Sequence, residues 1–215
     1  NELLLNNKID LAFICSGPYA LEKEKYEFDA IVTPIVRGNP FYQSYLIVHK
    51  DSQFFELEDL RNHSFAFSDP NSNSGSLVPN YWLHTMKERP ESFFRSTNFT
   101  YSHDNSILTV AKSLVDGAAV DGHKWEYFQQ KDNTYTSQTR IIKKSEKFGS
   151  PPLVASKFLS EKLKKSIQTI LLSMHEEREG KEILENLLID RFTKTEPKWY
   201  QPIQKMHKSL INTKS

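Results

Sequence analysis

Short apolar runs alternate with amphipathic segments along most of the chain. Runs rich in β-branched and aromatic residues predict strands at 9–14, 30–36, 44–49, 64–68, 117–120 and 153–155. Segments with apolar residues at helical spacing separate many of them, most clearly at 106–115 and 160–175. Because strands that alternate with helices form βαβ units, the pattern predicts an α/β architecture with mostly parallel strands.

Capping residues and polar stretches predict where several elements begin and end. Asp104 and Asn105 are suited to cap the helix 106–115, and Ser160 is suited to cap the helix that runs to His175. The stretch from Lys194 onward is polar, and the sequence predicts a loose tail there.

The chain is long enough for one large domain or two small lobes, since it has 215 residues of which 38% are hydrophobic. Its 28 basic and 27 acidic side chains nearly balance, so its charge gives no reason to expect nucleic acid or an anionic membrane as a partner. Cys15 is the only cysteine, which excludes an internal disulfide framework, and its apolar neighbours predict a small core residue.

Transmembrane and metal-binding signals are absent from the sequence. No apolar run reaches the ~18–20 residues of a spanning helix, and no signal peptide opens the chain, so we expect residues upstream of Asn1 to have been left out. The histidines show no metal-ligand spacing, and no metal site is predicted from them.

The segment Phe65–Pro79, FAFSDPNSNSGSLVP, is the most informative part of the sequence. An apolar strand leads into a loop of small polar residues, and a helix follows at once. This order directs free backbone N–H groups and the positive end of a helix dipole towards one point. Ser72, Asn73 and Ser74 add donors, and Gly75 permits close approach to the backbone. Two interpretations are open, an ordinary capped helix start and a site for a tetrahedral oxyanion.

A second donor-rich junction, Tyr101–Asn105, also lies between a predicted strand and a predicted helix. His103 in this junction is either a surface histidine beside a cap or a donor to an anion. Two such junctions in succession favour a ligand site, because ligands of open α/β sheets collect at the carboxyl ends of strands.

Three stretches of the chain resemble a known family. FYQSYLIVHKDS, LEDLRNHSFAFSDPNSNSGSLVP and YSHDNSILTVAKSLVDGAAVDG are similar to the phosphate/phosphite/phosphonate-binding proteins of ABC transporters, and the similarity extends over roughly residues 2–206. Its most specific part is SNSG, which resembles the family's S-T-S-G. The resemblance implies a type II periplasmic-binding fold, with two lobes joined by two hinge strands near 45–50 and 148–154. Residues 1–47 and 152–215 would form the first lobe and 48–151 the second, with ligand in the cleft and no catalytic residue or cofactor.

The resemblance also implies roles for individual residues. Ser72, Asn73 and Ser74 match the family's oxyanion-binding triplet, with Asn73 where the family usually has threonine. Tyr42, in a Tyr-x-Ser pattern, matches a tyrosine that contacts the ligand, and His103 matches an anion-contacting histidine.

Family members that hold 2-aminoethylphosphonate carry acidic residues for its ammonium group. The nearest positions here are His123 and Ser150 or Pro151, none of them acidic, and a protonated His123 would favour a second negative charge. Asp121 lies close by and either substitutes for these acidic residues or caps the helix that enters Trp125. The sequence therefore favours phosphate, phosphite or a small alkylphosphonate over an aminophosphonate.

The resemblance implies partners and a location as well. The protein would be periplasmic or otherwise extracytoplasmic, with or without a membrane anchor, and would serve an ABC-transporter permease. A sensor domain of a membrane histidine kinase or a cyclic-dinucleotide signalling protein is an alternative. The family normally has a strand, a helix and a strand before the element that opens this chain, so an exposed edge in the first lobe and a possible dimer are expected.

A third interpretation, from a different functional class, is a hydrolase. Ser72, His103 and Asp121 are the residue types of an acyl-transfer triad, but their spacing does not orient them as one. Binding of one anion explains the clustered serines better.

Overall fold

The structure, a computed structural model, describes residues 1–212. These residues divide into two compact units. Unit 1 contains Asn1–Phe41 and Phe148–Gln204, and unit 2 contains Tyr42–Lys147 and the chain from Lys205. Along the chain, the first two boundaries between the units thus lie at 41/42 and 147/148. The sequence predicts lobe boundaries a few residues later, at 47/48 and 151/152.

The secondary structure alternates as the sequence pattern predicts. The α-helices are α1 (Glu2–Leu5), α2 (Ser16–Tyr26), α3 (Val78–Thr85), α4 (Pro90–Phe93), α5 (His103–Ala111), α6 (Gly122–Lys131), α7 (Glu161–Ser173), α8 (Arg178–Leu187) and α9 (Gln201–Asn212). The strands are β1 (Leu11–Phe13), β2 (Asp29–Ile35), β3 (Phe41–Tyr42), β4 (Ser44–His49), β5 (Ser64–Phe67), β6 (Ser96–Phe99), β7 (Gly117–Asp121), β8 (Thr139–Lys144), β9 (Phe148–Gly149), β10 (Leu153–Ala155) and β11 (Arg191–Thr193). A π-helical turn, Asn73–Leu77, directly precedes α3.

Unit 1 is built on a four-stranded sheet of order β1-β10-β2-β11. Its core contains Val32 of β2, Ala155 of β10 and Phe192 of β11, and apolar side chains of α7 and α8 pack against them. The Ser160 hydroxyl accepts a hydrogen bond from the backbone N–H of Leu163, which confirms that residue as the cap of α7.

Unit 2 is built on a five-stranded sheet of order β6-β5-β7-β4-β8. Helix α5 packs on this sheet through Ile107 and Val110, which lie in one buried cluster with Ile47 of β4 and Val120 of β7. The strand β4 therefore lies inside the sheet of unit 2, and the expectation that residues near 45–50 cross between lobes is wrong. Its run of buried residues, Ser44–Val48, is typical of a strand covered on both faces.

The prediction of mostly parallel strands is also wrong. Strand β5 pairs in parallel with β6 and with β7. The pairings β1–β10, β10–β2, β11–β2, β4–β7 and β4–β8 are antiparallel. A parallel pair needs a crossover connection within one sheet, and the consecutive stretch from β5 to β7 supplies such connections through α3, α4 and α5.

Three local predictions need correction. Helix α5 begins at His103 and is capped by Ser102, whose hydroxyl accepts from the N–H of Asn105, so Asp104 and Asn105 lie inside its first turn. The tail contains helix α9, which has the buried residues Ile203 and Met206 on one face. Cys15 is partly exposed at the start of α2 and is not a core residue.

The first residue of α6 provides a test of the packing in unit 2. A Cβ atom on Gly122 would lie 2.8 Å from Cζ of Tyr45 and 2.9 Å from the carbonyl oxygen of Gln43. We predict that Gly122→Ala lowers the free energy of unfolding by about 1–3 kcal/mol, because it overpacks this contact. Urea denaturation measures the change, with Lys131→Ala at the exposed end of the same helix as control. Equal stability of the two variants would contradict the packing described here.

Candidate anion-binding site

The candidate site lies at one edge of the sheet of unit 2. The strands β5, β6 and β7 are parallel, so their carboxyl ends meet at this edge. Strand β4 runs the opposite way, with Ser44 opposite Asp121, so the residues that precede β4 reach the same edge. The register therefore brings Tyr42, the loop after β5, and the N-termini of α5 and α6 to one side of unit 2.

The loop after β5 is held in shape by its own polar groups. The Ser72 hydroxyl accepts from the N–H of Gly75 at 3.0 Å, and the Ser72 carbonyl accepts from the N–H of Leu77 at 3.0 Å. The N–H of Ser68 donates to the Gly75 carbonyl at 3.1 Å, and the Ser44 hydroxyl donates to the Ser74 carbonyl at 2.6 Å. Ser72 is thus the N-cap of the π-helical turn.

Gly75 is required by the protein's own packing. A Cβ atom at this position would lie 1.6 Å from the Ser68 hydroxyl oxygen, and its N–H is already bonded to Ser72. Gly75 therefore permits close approach of Ser68, and its role in the approach of a ligand to the backbone stays a prediction.

Polar atoms around this turn are buried without a partner. The hydroxyl oxygens of Ser68 and Ser74 and the Oδ1 atom of Asn73 have no hydrogen bond within the described residues. All three side chains are almost completely inaccessible. The backbone N–H groups of Asn73 and Ser74 also have no acceptor in the described part of the chain. An unsatisfied buried polar group costs about 1–3 kcal/mol, so a cluster of them indicates a site that a polar ligand completes.

His103 is held as a neutral donor. Its Nδ1 atom accepts from the backbone N–H of Asp121 at 3.2 Å, which leaves the ring proton on Nε2. Burial lowers the pKa of His103 below its ordinary value, and the nearby carboxylates of Asp121 and Asp104 oppose this shift only in part. The ring therefore offers an N–H group without a positive charge near neutral pH.

Tyr42 and His123 complete the side chains at this edge. The buried Tyr42 hydroxyl accepts from Nδ2 of Asn73 at 2.9 Å, and the Tyr42 ring centroid lies 6.0 Å from that of His123. The structure thus brings Tyr42, Asn73 and His123 together, as the sequence-based set of site residues requires.

Asp121 has a structural role that the sequence left as one of two possibilities. Its Oδ1 atom accepts from the N–H of Lys124 at 3.1 Å, which makes it the N-cap of α6. Its carboxylate does not orient His103, because the ring contacts the Asp121 backbone N–H instead. Ser72, in turn, holds the N–H of Gly75. These three residues therefore lack the hydrogen bonds of a Ser-His-Asp triad.

Sequence reasoning missed two residues, Ser44 and Ser68. Ser68 is the last residue of the predicted strand 64–68 and is buried in the structure. The available sequence signal was its place directly after the apolar residues 65–67, where a buried polar group needs a partner. Ser44 is the serine of the Tyr-x-Ser pattern, and it fixes the turn through the Ser74 carbonyl.

The described residues contain no group of three or more histidine, cysteine, aspartate or glutamate side chains arranged to hold a metal ion. Of the helices in residues 1–212, none combines the length and apolar character needed to cross a membrane.

Comparison with known proteins places this geometry in a family. Residues 1–200 match the family model described as the periplasmic phosphonate substrate-binding protein of ABC transporters. The phosphonates-binding periplasmic protein of Escherichia coli is 31% identical over 187 residues, which cover 84% of this chain and 55% of that protein. The chain thus spans about half the length of this curated relative.

Solved structures have the same fold. A binding-protein component of an ABC phosphonate transporter from Pseudomonas aeruginosa superposes with a TM-score of 0.88 at 26% identity, covering 96% of this chain and 70% of that one. A protein from Prochlorococcus marinus in complex with methylphosphonate gives a TM-score of 0.84 at 22% identity, covering 97% and 81%. These similarities confirm the type II periplasmic-binding fold implied by the sequence. The chain belongs to the family of periplasmic phosphonate substrate-binding proteins of ABC transporters.

Proposed function

We propose that this chain is the ligand-binding part of a periplasmic solute-binding protein that captures a small phosphorus oxyanion at the Ser68–Leu77 turn and passes it to an ABC-transporter permease. The observation that carries this proposal is the group of buried, unpartnered polar atoms at Ser68, Asn73 and Ser74. The family match supports a ligand of the phosphonate class.

The donors at the turn suit a tetrahedral oxyanion. Two serine hydroxyls, two backbone N–H groups and the Nε2–H of His103 are all neutral. Hydrogen bonds hold the backbone of the turn and the His103 ring, while the two hydroxyls can rotate towards a ligand. Such preorganised dipoles bind an anion without a charged partner, as helix N-termini do.

The charges at this edge favour a ligand without an ammonium group. His123 stands near Tyr42, and the nearby carboxylate of Asp121 is engaged by the N-terminus of α6. We therefore propose phosphate, phosphite or a small alkylphosphonate as ligand, with His123 facing the side of the ligand that carries its substituent. Self-association through the sheet of unit 1 stays a prediction from the sequence.

A thermal-shift screen tests the proposed function. A ligand that binds only the folded chain raises its melting temperature by mass action. We expect phosphate, phosphite or methylphosphonate to raise the melting temperature, and 2-aminoethylphosphonate to raise it least. The proposal fails if none of the four changes it at millimolar concentration.

Replacing the Ser74 hydroxyl separates binding from folding. We predict that Ser74→Ala weakens binding of the preferred oxyanion by about 1.5–3 kcal/mol, the scale of a hydrogen bond to a charged group. The stability of the ligand-free chain should not fall, because this hydroxyl has no partner within the described residues. Calorimetric titration and urea denaturation measure the two quantities, with the exposed Ser137→Ala as control. An unchanged dissociation constant would remove Ser74 from the site.

Acidification should destabilise the chain through His103. Because burial lowers its folded-state pKa, the unfolded chain binds the proton more tightly. The stability that His103 contributes is complete above its unfolded pKa of about 6.5 and is lost as pH falls through the lower folded value. We predict that His103→Gln reduces the loss of unfolding free energy between pH 7 and pH 5, measured by urea denaturation at each pH. Parallel pH profiles for the two proteins would contradict the neutral state assigned to this ring.

A further inference from the structure

Asn73 differs from its neighbours in the turn, because the unpartnered atom on its side chain is an acceptor. The side chain is completely buried, and its Nδ2 atom donates to the Tyr42 hydroxyl at 2.9 Å. Its Oδ1 atom has no hydrogen bond within the described residues. A carbonyl oxygen of this kind has lone pairs and no proton to give.

The orientation of this amide in the structure leaves Oδ1 as the end without a partner in the described residues. Tyr42 is itself buried, and it holds the Nδ2 end of the amide. The turn on which Asn73 lies is held by the Ser72 cap and by the bond from Ser44 to the Ser74 carbonyl. In this orientation Oδ1 can only accept, whereas the hydroxyls of Ser68 and Ser74 can rotate to donate or to accept.

A buried acceptor inside a set of donors discriminates among tetrahedral anions. A fully ionised anion offers only acceptors, so Oδ1 would face an oxygen of the anion and would remain without a hydrogen bond. An anion that keeps one O–H group would pair with Oδ1 through that group and with the surrounding donors through its other oxygens. Leaving a buried acceptor unpaired costs roughly ten- to hundredfold in affinity.

We propose that Asn73 Oδ1 accepts a hydrogen bond from a protonated oxygen of the ligand, so that the site selects monoprotonated phosphorus oxyanions and rejects sulfate. This inference rests on the proposed function, since it assigns the protonation state of the ligand at the same turn. It makes Asn73 a specificity-determining residue of this turn.

The chemistry of the two classes of anion fits this selection. A phosphoryl group loses its second proton near neutral pH, at about 6 in a phosphate ester. Phosphorus oxyanions therefore retain an O–H group over part of the physiological range, while sulfate does not. Above the second ionisation, the dianion of phosphite or of an alkylphosphonate has no O–H group and must take up one proton from solvent as it binds, and that proton lies between the ligand oxygen and Oδ1. The phosphate dianion keeps one O–H group and needs no such uptake.

Proton uptake on binding tests the inference directly. Calorimetric titration of the chain with methylphosphonate at about pH 8.5, in two buffers of different ionisation enthalpy, gives the number of protons taken up. We expect uptake approaching one proton, and a dissociation constant that rises up to tenfold per pH unit above the second ionisation of the ligand. Sulfate should bind at least tenfold more weakly than methylphosphonate at about pH 6.

Asn73→Thr is the matched variant, because its hydroxyl can rotate to donate. On binding methylphosphonate, this variant should take up less than half as many protons as the unaltered chain. Its ratio of affinities for methylphosphonate and sulfate should be smaller by fivefold or more. If Asn73→Thr fails to fold, the proton count and the sulfate comparison on the unaltered chain still decide the matter.

The outcomes separate this inference from the proposed function. No binding of methylphosphonate at any pH would overturn both. Binding without proton uptake, binding that tightens as pH rises, or equal affinity for sulfate would overturn the inference alone. An Asn73 amide turned end for end would present Nδ2 to the ligand. It would therefore give binding without proton uptake and would overturn the inference alone.

Discussion

The structure of the site depends on how one turn of chain satisfies its own polar groups. Between Ser68 and Leu77, the cap at Ser72, the pairing of Ser68 with Gly75 and the bond from Ser44 engage the backbone N–H groups of Ser68 and Gly75 and the carbonyls of Ser74 and Gly75. These bonds make the turn rigid, and they leave Ser68, Asn73 and Ser74 each with a buried polar atom that has no partner in the described residues. A rigid turn cannot relax to pair these atoms internally, so their cost of about 1–3 kcal/mol each is recovered only when a polar ligand binds.

The sheet of unit 2 explains why other side chains join this turn. Parallel pairing of β5 with β6 and β7 brings the starts of α5 and α6 to the edge where the turn lies. The antiparallel direction of β4 adds Tyr42, which is far from Asn73 in sequence but whose hydroxyl accepts a hydrogen bond from Asn73 Nδ2 in the fold. The backbone N–H of Asp121 then fixes the ring of His103. One strand running against its neighbours is therefore needed to assemble the site.

Much of this could be predicted from the sequence, because the decisive signals are local. An apolar strand followed by small polar residues and a helix predicts a capped turn with free donors, and the structure has such a turn with Ser72 as its cap. The alternation of strands and helices likewise predicts an α/β fold. The choice between capping and ligand contact for Asp121 could not be made from sequence, because both need a carboxylate at a helix start, and the geometry shows the cap.

The errors share a physical origin in long-range contacts. Strand direction depends on which strands pair, and local periodicity carries no information about this, so the expectation of mostly parallel strands failed. The role of Gly75 depends on Ser68, which lies seven positions earlier and fills the space a Cβ would need. The helix α9 in a polar tail depends on burial of Ile203 and Met206. The partner of Asn73 is similarly distant, and only the fold shows that its amide nitrogen is engaged while its oxygen is not.

The most direct test of the central claim is the response of individual backbone amides to ligand. In a proton–nitrogen correlation spectrum of the labelled chain, titration with methylphosphonate should shift the amide signals of Asn73 and Ser74 downfield, because these N–H groups gain an anionic acceptor. The signal of Gly75 should move much less, since its N–H is already bonded to Ser72. Saturable shifts confined to other parts of the chain, with Asn73 and Ser74 unmoved, would contradict the account.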